Sequence, residues 1–556
     1  MTTELESYLT VRGFDIRPQQ RQLYSALIGA TTKGVIAQAG TGAGKSAAVI
    51  SAAAHMARKT RMQSVIVTPT NMLATQYRDG DLPHASIAFP DLAFAEVRGR
   101  SHYHCDATKE SYAFVGEEYP GGCEGGDVGC TAGAWKPSED CEPEYRCDYR
   151  EARELAAGAD VVVTNTDMLI VNDTILANLP QPMNFIRGGG SLFVDEAHTL
   201  EPKMRDYASR SINNRNLRKF PYAPDQRLQA KLVSWLEERA EGTYDWDDVS
   251  KTIPLRALRS LADSSVPAKK PDGKTNNRAA ALVDSAQRIL ANIESPNSSS
   301  VVYAADGALR LGWVDVASSA SRLLTARSFG LVSATVPRSM SRALGLPESR
   351  FVDVGHPFDY RRQGWIAFSP FSGAYAAAQS DENYENRLGE LRAYLERSRG
   401  GALVLFSSFA DLERVSGDLT PWLSEQGIRS WTQTRETTPL EREEMGQQFK
   451  DDGNGVIFGS ASFATGFDAP GPALRFVALW KLPFPANDPI TTRIRDFDRR
   501  RYDDVMRVTA VQSIGRGIRT VSDKAVVWIG DSRGKVLLDP TDPMTRHLCS
   551  FNVIPS

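Results

Sequence analysis

The sequence has no long hydrophobic run, almost no net charge and few cysteines. No apolar segment is long enough to cross a bilayer, and residues 1–15 show neither the basic nor the apolar region of a signal peptide. A formal net charge of −3 argues against a uniformly basic nucleic-acid coat protein, although a local basic groove is compatible with it. We therefore expect an intracellular, cytoplasmic protein with no membrane partner.

The few cysteines are clustered. In a reducing compartment disulfides are rare, and clustered thiols more often bind metal or carry out redox chemistry. Five of the six cysteines fall within residues 101–147, a stretch rich in Gly, Glu and aromatic residues without sustained periodicity. Such a stretch suits a small domain that is held together by something other than an apolar core. The five are Cys105, Cys123, Cys130, Cys141 and Cys147.

At 556 residues the chain is too long for one hydrophobic core, so two compact domains with insertions are expected. In two long stretches, short β-branched runs that end in polar loops alternate with helical patterns, which is typical of parallel sheets with crossover helices. The predicted buried strands are GVIAQ (34–38), SVIVTPT (64–70), ADVVVTN (159–165) and SLFVDEAH (191–198) in the first stretch, and GALVLFSS (401–408), GVIFGSASF (455–463), LRFVALWKL (474–482) and KAVVWIGDS (524–532) in the second.

Residues 206–300 depart from this alternation and are predicted to be helical. Two sets of apolar residues each share one helix face, which indicates packing between helices. The sets are Leu228, Leu232, Trp235 and Leu236, and Leu282, Ala286, Ile289 and Ile293.

A Gly-rich loop lies between a buried strand and an alanine-rich helix in VIAQAGTGAGKSAAVI (35–50). Backbone N–H groups of such a loop and of the following helix N-terminus converge on phosphate oxygens, and Gly42 and Gly44 allow the backbone to approach closely. Lys45 would neutralise the β- and γ-phosphates, and Ser46 would bind Mg²⁺. Ala39 stands where the usual pattern has Gly, so the prediction depends on the strand–loop–helix context.

A second acidic motif completes the predicted ATPase. In SLFVDEAH, Asp195 follows a buried strand and can hold Mg²⁺ through water. Glu196 is placed to orient and deprotonate the attacking water. A solvated acidic strand end is the alternative, but the phosphate loop would then have no carboxylate for its metal.

The order of four segments resembles motifs I, II, III and VI of superfamily 2 helicases: AGTGAGKS (39–46), DEAH (195–198), LVSATV (331–336) and QSIGRGIR (512–519). Further segments narrow the resemblance to the XPD/DinG family, namely RPQQ (17–20), VTPTNMLATQ (67–76), ADVVVTNTDMLI (159–170), GSASFATGFDAPG (459–471), LWKLPFP (479–485) and IGDSR (529–533). The resemblance implies an α/β fold of two RecA-like motor domains with parallel sheets. It places motor domain 1 in residues 1–100, 148–205 and 301–350, an iron–sulfur domain in 101–147, a helical arch in 206–300 and motor domain 2 in 351–556.

The resemblance also assigns roles to residues of the nucleotide site. It implies that Arg17 and Gln20 flank the adenine of ATP. It implies that Asp468, Gln512, Arg516 and Arg519 complete the site from the second motor domain. His198, Ser333 and Thr335 would couple the ATP state to domain motion. A guanidinium from the opposing domain reaches the γ-phosphate only when the cleft closes, so hydrolysis becomes a domain-closing switch.

The cysteine-rich stretch falls where the family inserts a [4Fe–4S] domain. Thiolates suit iron–sulfur clusters and also Zn²⁺, although the absence of tight Cys-x2-Cys pairs argues mildly against a ribbon-type zinc site. The predicted cluster ligands are Cys105, Cys130, Cys141 and Cys147, with Cys123 as the alternative to Cys130.

The resemblance implies an ATP-hydrolysing DNA helicase that translocates 5′→3′ and acts on single-stranded and forked DNA. Candidate DNA contacts, at strand ends, are Thr68, Thr70, Asn165 and Phe463. Two other interpretations remain open: a DNA-stimulated translocase that does not separate strands, and a nucleotide-dependent accessory subunit of a nucleic-acid complex.

Overall fold

The fold is described from a computed structural model. The structure describes residues 3–105, 147–174, 184–186, 190–268, 276–325, 327–374, 380–460, 463, 467, 469 and 471–555. Within these ranges, no helix combines the length and the apolar character that crossing a membrane requires.

The first domain is built on a seven-stranded sheet. Its strands are β1 (Val35–Gln38), β2 (Ser64–Thr68), β3 (Phe94–Val97), β4 (Val161–Asn165), β5 (Ser191–Val194), β10 (Ser328–Ser333) and β11 (Arg350–Asp353). The spatial order is β11-β1-β10-β5-β2-β4-β3, and every neighbouring pair is parallel. The four strands predicted in this stretch are confirmed, because their continuous apolar runs are buried on both faces.

Helices cover both faces of this sheet, and successive strand residues contribute to two separate cores. Val161 and Val163 pack into one core and Val162 into the other. The helices are α1 (Glu4–Arg12), α2 (Pro18–Ile28), α3 (Lys45–Thr60), α4 (Asn71–Gln76), α5 (Leu82–Ala88), α6 (Asp148–Gly158), α7 (Thr166–Thr174), α8 (Leu200–Ala208), α14 (Ala317–Thr325) and α15 (Met340–Ala343). A π-helical turn, Tyr77–Asp81, separates α4 from α5.

The second domain repeats the architecture. Its sheet has the order β14-β15-β13-β16-β17-β12-β18, again parallel throughout. The strands are β12 (Gly364–Phe368), β13 (Ala402–Phe406), β14 (Ser430–Thr432), β15 (Val456–Ser460), β16 (Phe476–Leu479), β17 (Ala525–Ile529) and β18 (Asn552–Ile554). The helices are α16 (Tyr360–Gln363), α17 (Asp381–Ser398), α18 (Phe409–Glu425), α19 (Pro439–Asp452), α20 (Pro489–Phe497) and α21 (Arg499–Ile514). The predicted α/β class with two parallel sheets is therefore confirmed.

The segment between α8 and α14 contains a sheet as well as helices. Its helices are α9 (Asn214–Arg218), α10 (Gln226–Glu237), α11 (Trp246–Thr252), α12 (Leu255–Ala262) and α13 (Asn277–Glu294), and its strands are β6 (Arg210–Asn213), β7 (Thr243–Tyr244), β8 (Ser300–Ala305) and β9 (Ala308–Trp313). The strands form an antiparallel sheet in the order β6-β9-β8-β7, which the sequence analysis did not predict. Strand β9 pairs with β6, and β8 pairs with β9 and β7, rather than with the first parallel sheet, so this unit continues to Trp313.

The two parallel-sheet domains contact each other directly. The backbone N–H and the hydroxyl of Ser339 donate to the Asp504 carboxylate at 3.0 and 2.7 Å. The Arg546 guanidinium pairs with Asp353 at 2.5 Å. These contacts join residues far apart in sequence at the cleft where the phosphate loop lies.

Candidate active site

The phosphate loop connects β1 to α3, and its glycines adopt conformations that other residues rarely take. Gly42 and Gly44 have φ values of 73° and 75°. A Cβ on Gly44 would lie 2.0 Å from Nε2 of Gln20, so the loop can pass over α2 only where a side chain is absent. Lys45 is the first residue of α3, so the helix N-terminus and its unpaired N–H groups face the loop.

Lys45 and the two acidic residues come together at the carboxyl ends of β1 and β5. Nζ of Lys45 lies 3.2 Å from Oε1 of Glu196. Asp195 is buried, and its Oδ1 accepts a hydrogen bond of 2.9 Å from the backbone N–H of Glu196. Glu196 itself has a φ of 49°, in the left-handed region that residues other than glycine rarely adopt.

The two carboxylates differ in protonation behaviour. Burial, aided by the neighbouring Glu196 charge, raises the pKa of Asp195 to about 6. Burial would also raise the pKa of Glu196, but the Lys45 ammonium and His198 outweigh it and hold that pKa well below its usual range. Glu196 is therefore ionised near neutral pH, as a residue that accepts a proton must be.

A chain of hydrogen bonds connects Glu196 to the second domain. Oγ of Ser333 donates to Oε2 of Glu196 at 3.3 Å and lies 2.8 Å from Nδ1 of His198. The other ring nitrogen of His198 lies 2.7 Å from Nε2 of Gln512, on α21 of the second domain. Gln512 also donates to Oγ1 of Thr335 at 3.3 Å. The three predicted coupling residues and Gln512 thus form one network across the cleft.

Arg17 and Gln20 attach α2 to the phosphate loop. The Arg17 guanidinium donates to the carbonyl of Gly42, and the Arg17 backbone N–H donates to Oε1 of Gln20 at 2.9 Å. Both residues therefore lie beside the loop that would hold the phosphates. Their contact with adenine stays a prediction.

The two arginines predicted to complete the nucleotide site from the second domain, Arg516 and Arg519, follow α21. NH1 of Arg516 donates to the carbonyl of Phe467 at 2.6 Å, and the backbone N–H of Arg519 donates to Asp523 at 2.7 Å. The end of α21 nevertheless reaches the phosphate loop, because a Cβ on Gly515 would lie 3.8 Å from Cγ2 of Thr41. Asp468 lies outside the described residues.

Three of the four candidate DNA contacts lie together on the first domain. Thr68 and Asn165 are register partners at the ends of β2 and β4. Both are buried, and Nδ2 of Asn165 donates to Oδ1 of Asn71 at 2.6 Å. Thr70 is exposed and caps α4. Of these three candidates only Thr70 is exposed, and its neighbour Asn71 is partly exposed.

Phe463 is placed differently from the other candidate DNA contacts. Its ring is 1% exposed and packs against Phe467, with ring centroids 5.7 Å apart. A buried ring cannot stack on a base, so the prediction of a DNA contact for this side chain is not supported by its position.

Two of the predicted cluster ligands meet at the base of the cysteine-rich segment. Cys105 and Cys147 pair as an isolated antiparallel bridge, and Cys105 is buried. Burial, with the nearby Cys105, raises the pKa of Cys147. Cys123, Cys130 and Cys141 lie outside the described residues, and within the described ones no three potential metal ligands come together. In ligand type and proximity, the two thiols fit a shared iron–sulfur cluster or zinc ion.

Sequence reasoning missed Tyr77. This residue is buried, and its hydroxyl donates to Oδ2 of Asp195 at 3.1 Å. Burial and the Asp195 charge raise the pKa of Tyr77 well above its usual value, so the phenol remains a donor. Tyr77 lies in a segment whose pattern indicates only a helix, and no local signal pointed to the metal site.

Two parallel-sheet domains meet over a phosphate loop. The first domain contributes the Lys45–Glu196 pair, and the second contributes Gln512. This arrangement defines a nucleotide-driven motor of the helicase class. Residues 17–79 match the family model described as "DEAD/DEAH box helicase", and residues 391–536 match "Helicase C-terminal domain". These two matches, which lie in separate parts of the chain, support the XPD/DinG family of superfamily 2 helicases.

Curated relatives match over nearly the whole length. The "ATP-dependent DNA helicase YoaA" of Escherichia coli (strain K12) is 25% identical, with 98% of each chain covered. The "ATP-dependent DNA helicase DinG" of Photobacterium profundum is 23% identical, with 92% of each covered. The solved structure "XPD_Helicase" superposes with a TM-score of 0.62 at 17% identity, covering 97% of this chain and 99% of that one. That likeness shows a shared fold.

Proposed function

We propose that the chain is an ATP-dependent DNA helicase that moves 5′→3′ along single-stranded DNA and separates the strands of forked DNA. The observation that carries the proposal is the network from Lys45 and Glu196 through His198 to Gln512, because it connects a hydrolytic site to a second domain. Such an activity on DNA would take place in the cytoplasm.

In this proposal the hydrolytic step depends on residues of the first domain. Lys45 offsets the charge of the β- and γ-phosphates, and Glu196 accepts the proton of the attacking water. Ser46 and Asp195 would hold Mg²⁺, which neutralises the developing phosphate charge. Arg516 or Arg519 adds positive charge when the second domain closes.

Coupling to movement follows from the residues that both domains share. When the γ-phosphate leaves, Glu196 and Ser333 lose the partner that held them, and the contacts of His198 with Gln512 change with them. A shift of α21 relative to the first sheet moves the second domain along the nucleic-acid strand bound at Thr70 and Asn71. The relatives named as ATP-dependent DNA helicases support the proposal that this nucleic acid is DNA.

The test compares ATP turnover with and without single-stranded DNA, followed by unwinding of duplexes that carry only a 5′ or only a 3′ tail. We expect DNA to stimulate turnover and only the 5′-tailed duplex to be unwound. Stimulated turnover without strand separation would instead indicate a translocase. Turnover that DNA does not affect would favour the accessory role and contradict the proposal.

We also propose that the cysteine-rich segment holds a [4Fe–4S] cluster through Cys105, Cys130, Cys141 and Cys147. The close approach of Cys105 and Cys147 supports this, since ligands from both ends of an insertion must meet at its base. The cluster would supply the cross-link that a segment without an apolar core needs in order to fold.

Cys147→Ser is expected to remove the brown chromophore and duplex unwinding while most DNA-stimulated ATP turnover remains, because Cys147 caps α6 and is not among the residues that would bind the nucleotide. Absorbance, iron and sulfide content, turnover and unwinding are measured on protein purified anaerobically. Cys549→Ser, at an exposed cysteine, serves as the control and should retain colour and activity. A colourless wild-type protein that carries stoichiometric zinc would contradict the cluster assignment.

A further inference from the structure

The hydroxyl of Tyr77 contacts the pair of residues that would hold Mg²⁺. It donates to Oδ2 of Asp195 at 3.1 Å, and the Ser46 side chain is near enough to lower the pKa of the phenol. Tyr77 is 1% exposed, so bulk water does not compete for this contact. Ser46 and Asp195 belong to different elements, and Tyr77, from a third element, lies against both.

The backbone around Tyr77 is held in an uncommon conformation. Tyr77 begins the π-helical turn between α4 and α5, in which the N–H of Leu82 donates to the carbonyl of Tyr77, five residues earlier. Single π-helical turns within helices are rare and often occur at functional sites. At the other end of the turn, Asp81 accepts hydrogen bonds from the Tyr8 hydroxyl at 2.6 Å and from Arg12 at 2.8 Å. The turn is thereby fastened to α1.

The contacts of Asp195 define what the hydroxyl does. Oδ1 accepts from the backbone N–H of Glu196 at 2.9 Å, and Oδ2 accepts from Tyr77 at 3.1 Å. With both oxygens held, the carboxylate cannot rotate about its terminal bond without breaking a hydrogen bond. One lone pair on each oxygen remains available for a metal-bound water.

We propose that Tyr77 is a positioning residue that orients Asp195 and Ser46 for Mg²⁺ bound with a nucleotide. The inference rests on the proposed function, since it requires the phosphate loop to bind Mg²⁺ with nucleotide. Hydrogen-bond partners of metal ligands fix the ligand orientation, and removing such a partner costs roughly 10–100-fold in metal affinity or activity. Tyr77 acts through Asp195 and Ser46 and does not itself touch the nucleotide.

A buried tyrosine can also serve only to fill space, and Tyr8 provides the matched comparison. Both side chains are buried, and each donates its hydroxyl to a buried aspartate. Tyr8 donates to Asp81, which fastens the turn, whereas Tyr77 donates to the metal-site carboxylate. Tyr→Phe removes one hydroxyl and keeps the ring in either case.

The experiment measures the dissociation constant of a fluorescent ADP derivative, in MgCl₂ and in EDTA, for the full chain and the variants Tyr77→Phe and Tyr8→Phe. The constant in EDTA divided by the constant in MgCl₂ reports the Mg²⁺-dependent part of binding. Thermal melting reports stability. For Tyr77→Phe we expect this ratio to fall by about tenfold, with binding in EDTA unchanged. Tyr8→Phe should keep the wild-type ratio, because the ion pair of Arg12 with Asp81 still holds the turn.

An unchanged ratio in Tyr77→Phe, or an equal fall in Tyr8→Phe, would overturn the inference, because the hydroxyl would then have no specific role at the metal site. Failure of the proposed function has a different signature. In that case the wild-type protein itself would show no Mg²⁺-dependent binding of the ADP derivative.

Discussion

Lys45→Ala is expected to reduce ATP turnover by about 100-fold or more, with single-stranded DNA present or absent. Lys45 is the first residue of α3, its side chain is 13% exposed, and its Nζ lies 3.2 Å from Oε1 of Glu196. Alanine leaves the β- and γ-phosphate charge uncompensated in a site that excludes most water, where each charge counts more than in solution. It also removes a cation that holds the pKa of Glu196 low, so the pKa of the proposed base rises while phosphate binding is lost.

The control is a second lysine–glutamate pair in the same domain. Nζ of Lys33 lies 2.8 Å from Glu348, but both side chains are more than 60% exposed and lie outside the cleft. Exposed ion pairs contribute little, so Lys33→Ala should leave turnover and thermal stability close to wild type. Steady-state turnover is measured for both variants. If Lys45→Ala retained turnover comparable to Lys33→Ala, residues 39–46 would not be the hydrolytic site.

Much of the motor fold could be predicted because its signals are local. Each strand of a parallel sheet that is covered by helices on both faces needs a continuous apolar run, and such runs are visible in short windows. The phosphate loop and DEAH segments each follow such a run. Because carboxyl ends of parallel strands meet at one edge, their proximity followed from the predicted strands.

The features that could not be predicted depend on distant partners. Strands β8 and β9 join a small antiparallel sheet with β6, which lies 87 or more residues earlier in the chain. Their own pattern therefore does not assign them to a sheet. The contact of Tyr77 with Asp195 joins residues 118 apart, and that of Ser339 with Asp504 joins residues 165 apart. No local pattern specifies which polar groups will meet at such distances.

The contacts between domains bear on how the proposed motor would move. Ser339 follows LVSATV (331–336) and is bonded to Asp504, while Gln512, two turns further along α21, contacts Thr335 within that segment. One helix of the second domain therefore contacts residues 335–339 at two points. In the proposed motor, a change at Ser333, which contacts Glu196, would reach α21 through both contacts.

Glu196→Gln is expected to reduce ATP turnover by about 10²–10⁴-fold while ATP binding is retained. Glutamine has nearly the same shape, so the hydrogen bond from Ser333 can persist. It cannot accept the proton of the attacking water, and it no longer pairs with Lys45 as an ion. Lys45 is then free for the phosphates, so affinity for a fluorescent ATP derivative should equal or exceed that of the wild type.

The variant should consequently accumulate in the ATP-bound state, with Gln512 and α21 held against the first domain. We expect its complex with ATP and single-stranded DNA to dissociate more slowly than the wild-type complex, measured by stopped-flow fluorescence. Glu348→Gln, on the exposed pair with Lys33, is the matched control and should behave as wild type in both measurements. Normal turnover in Glu196→Gln would remove Glu196 as the base. Slow turnover with an unchanged DNA-release rate would mean that hydrolysis and the second domain are not coupled through His198 and Gln512.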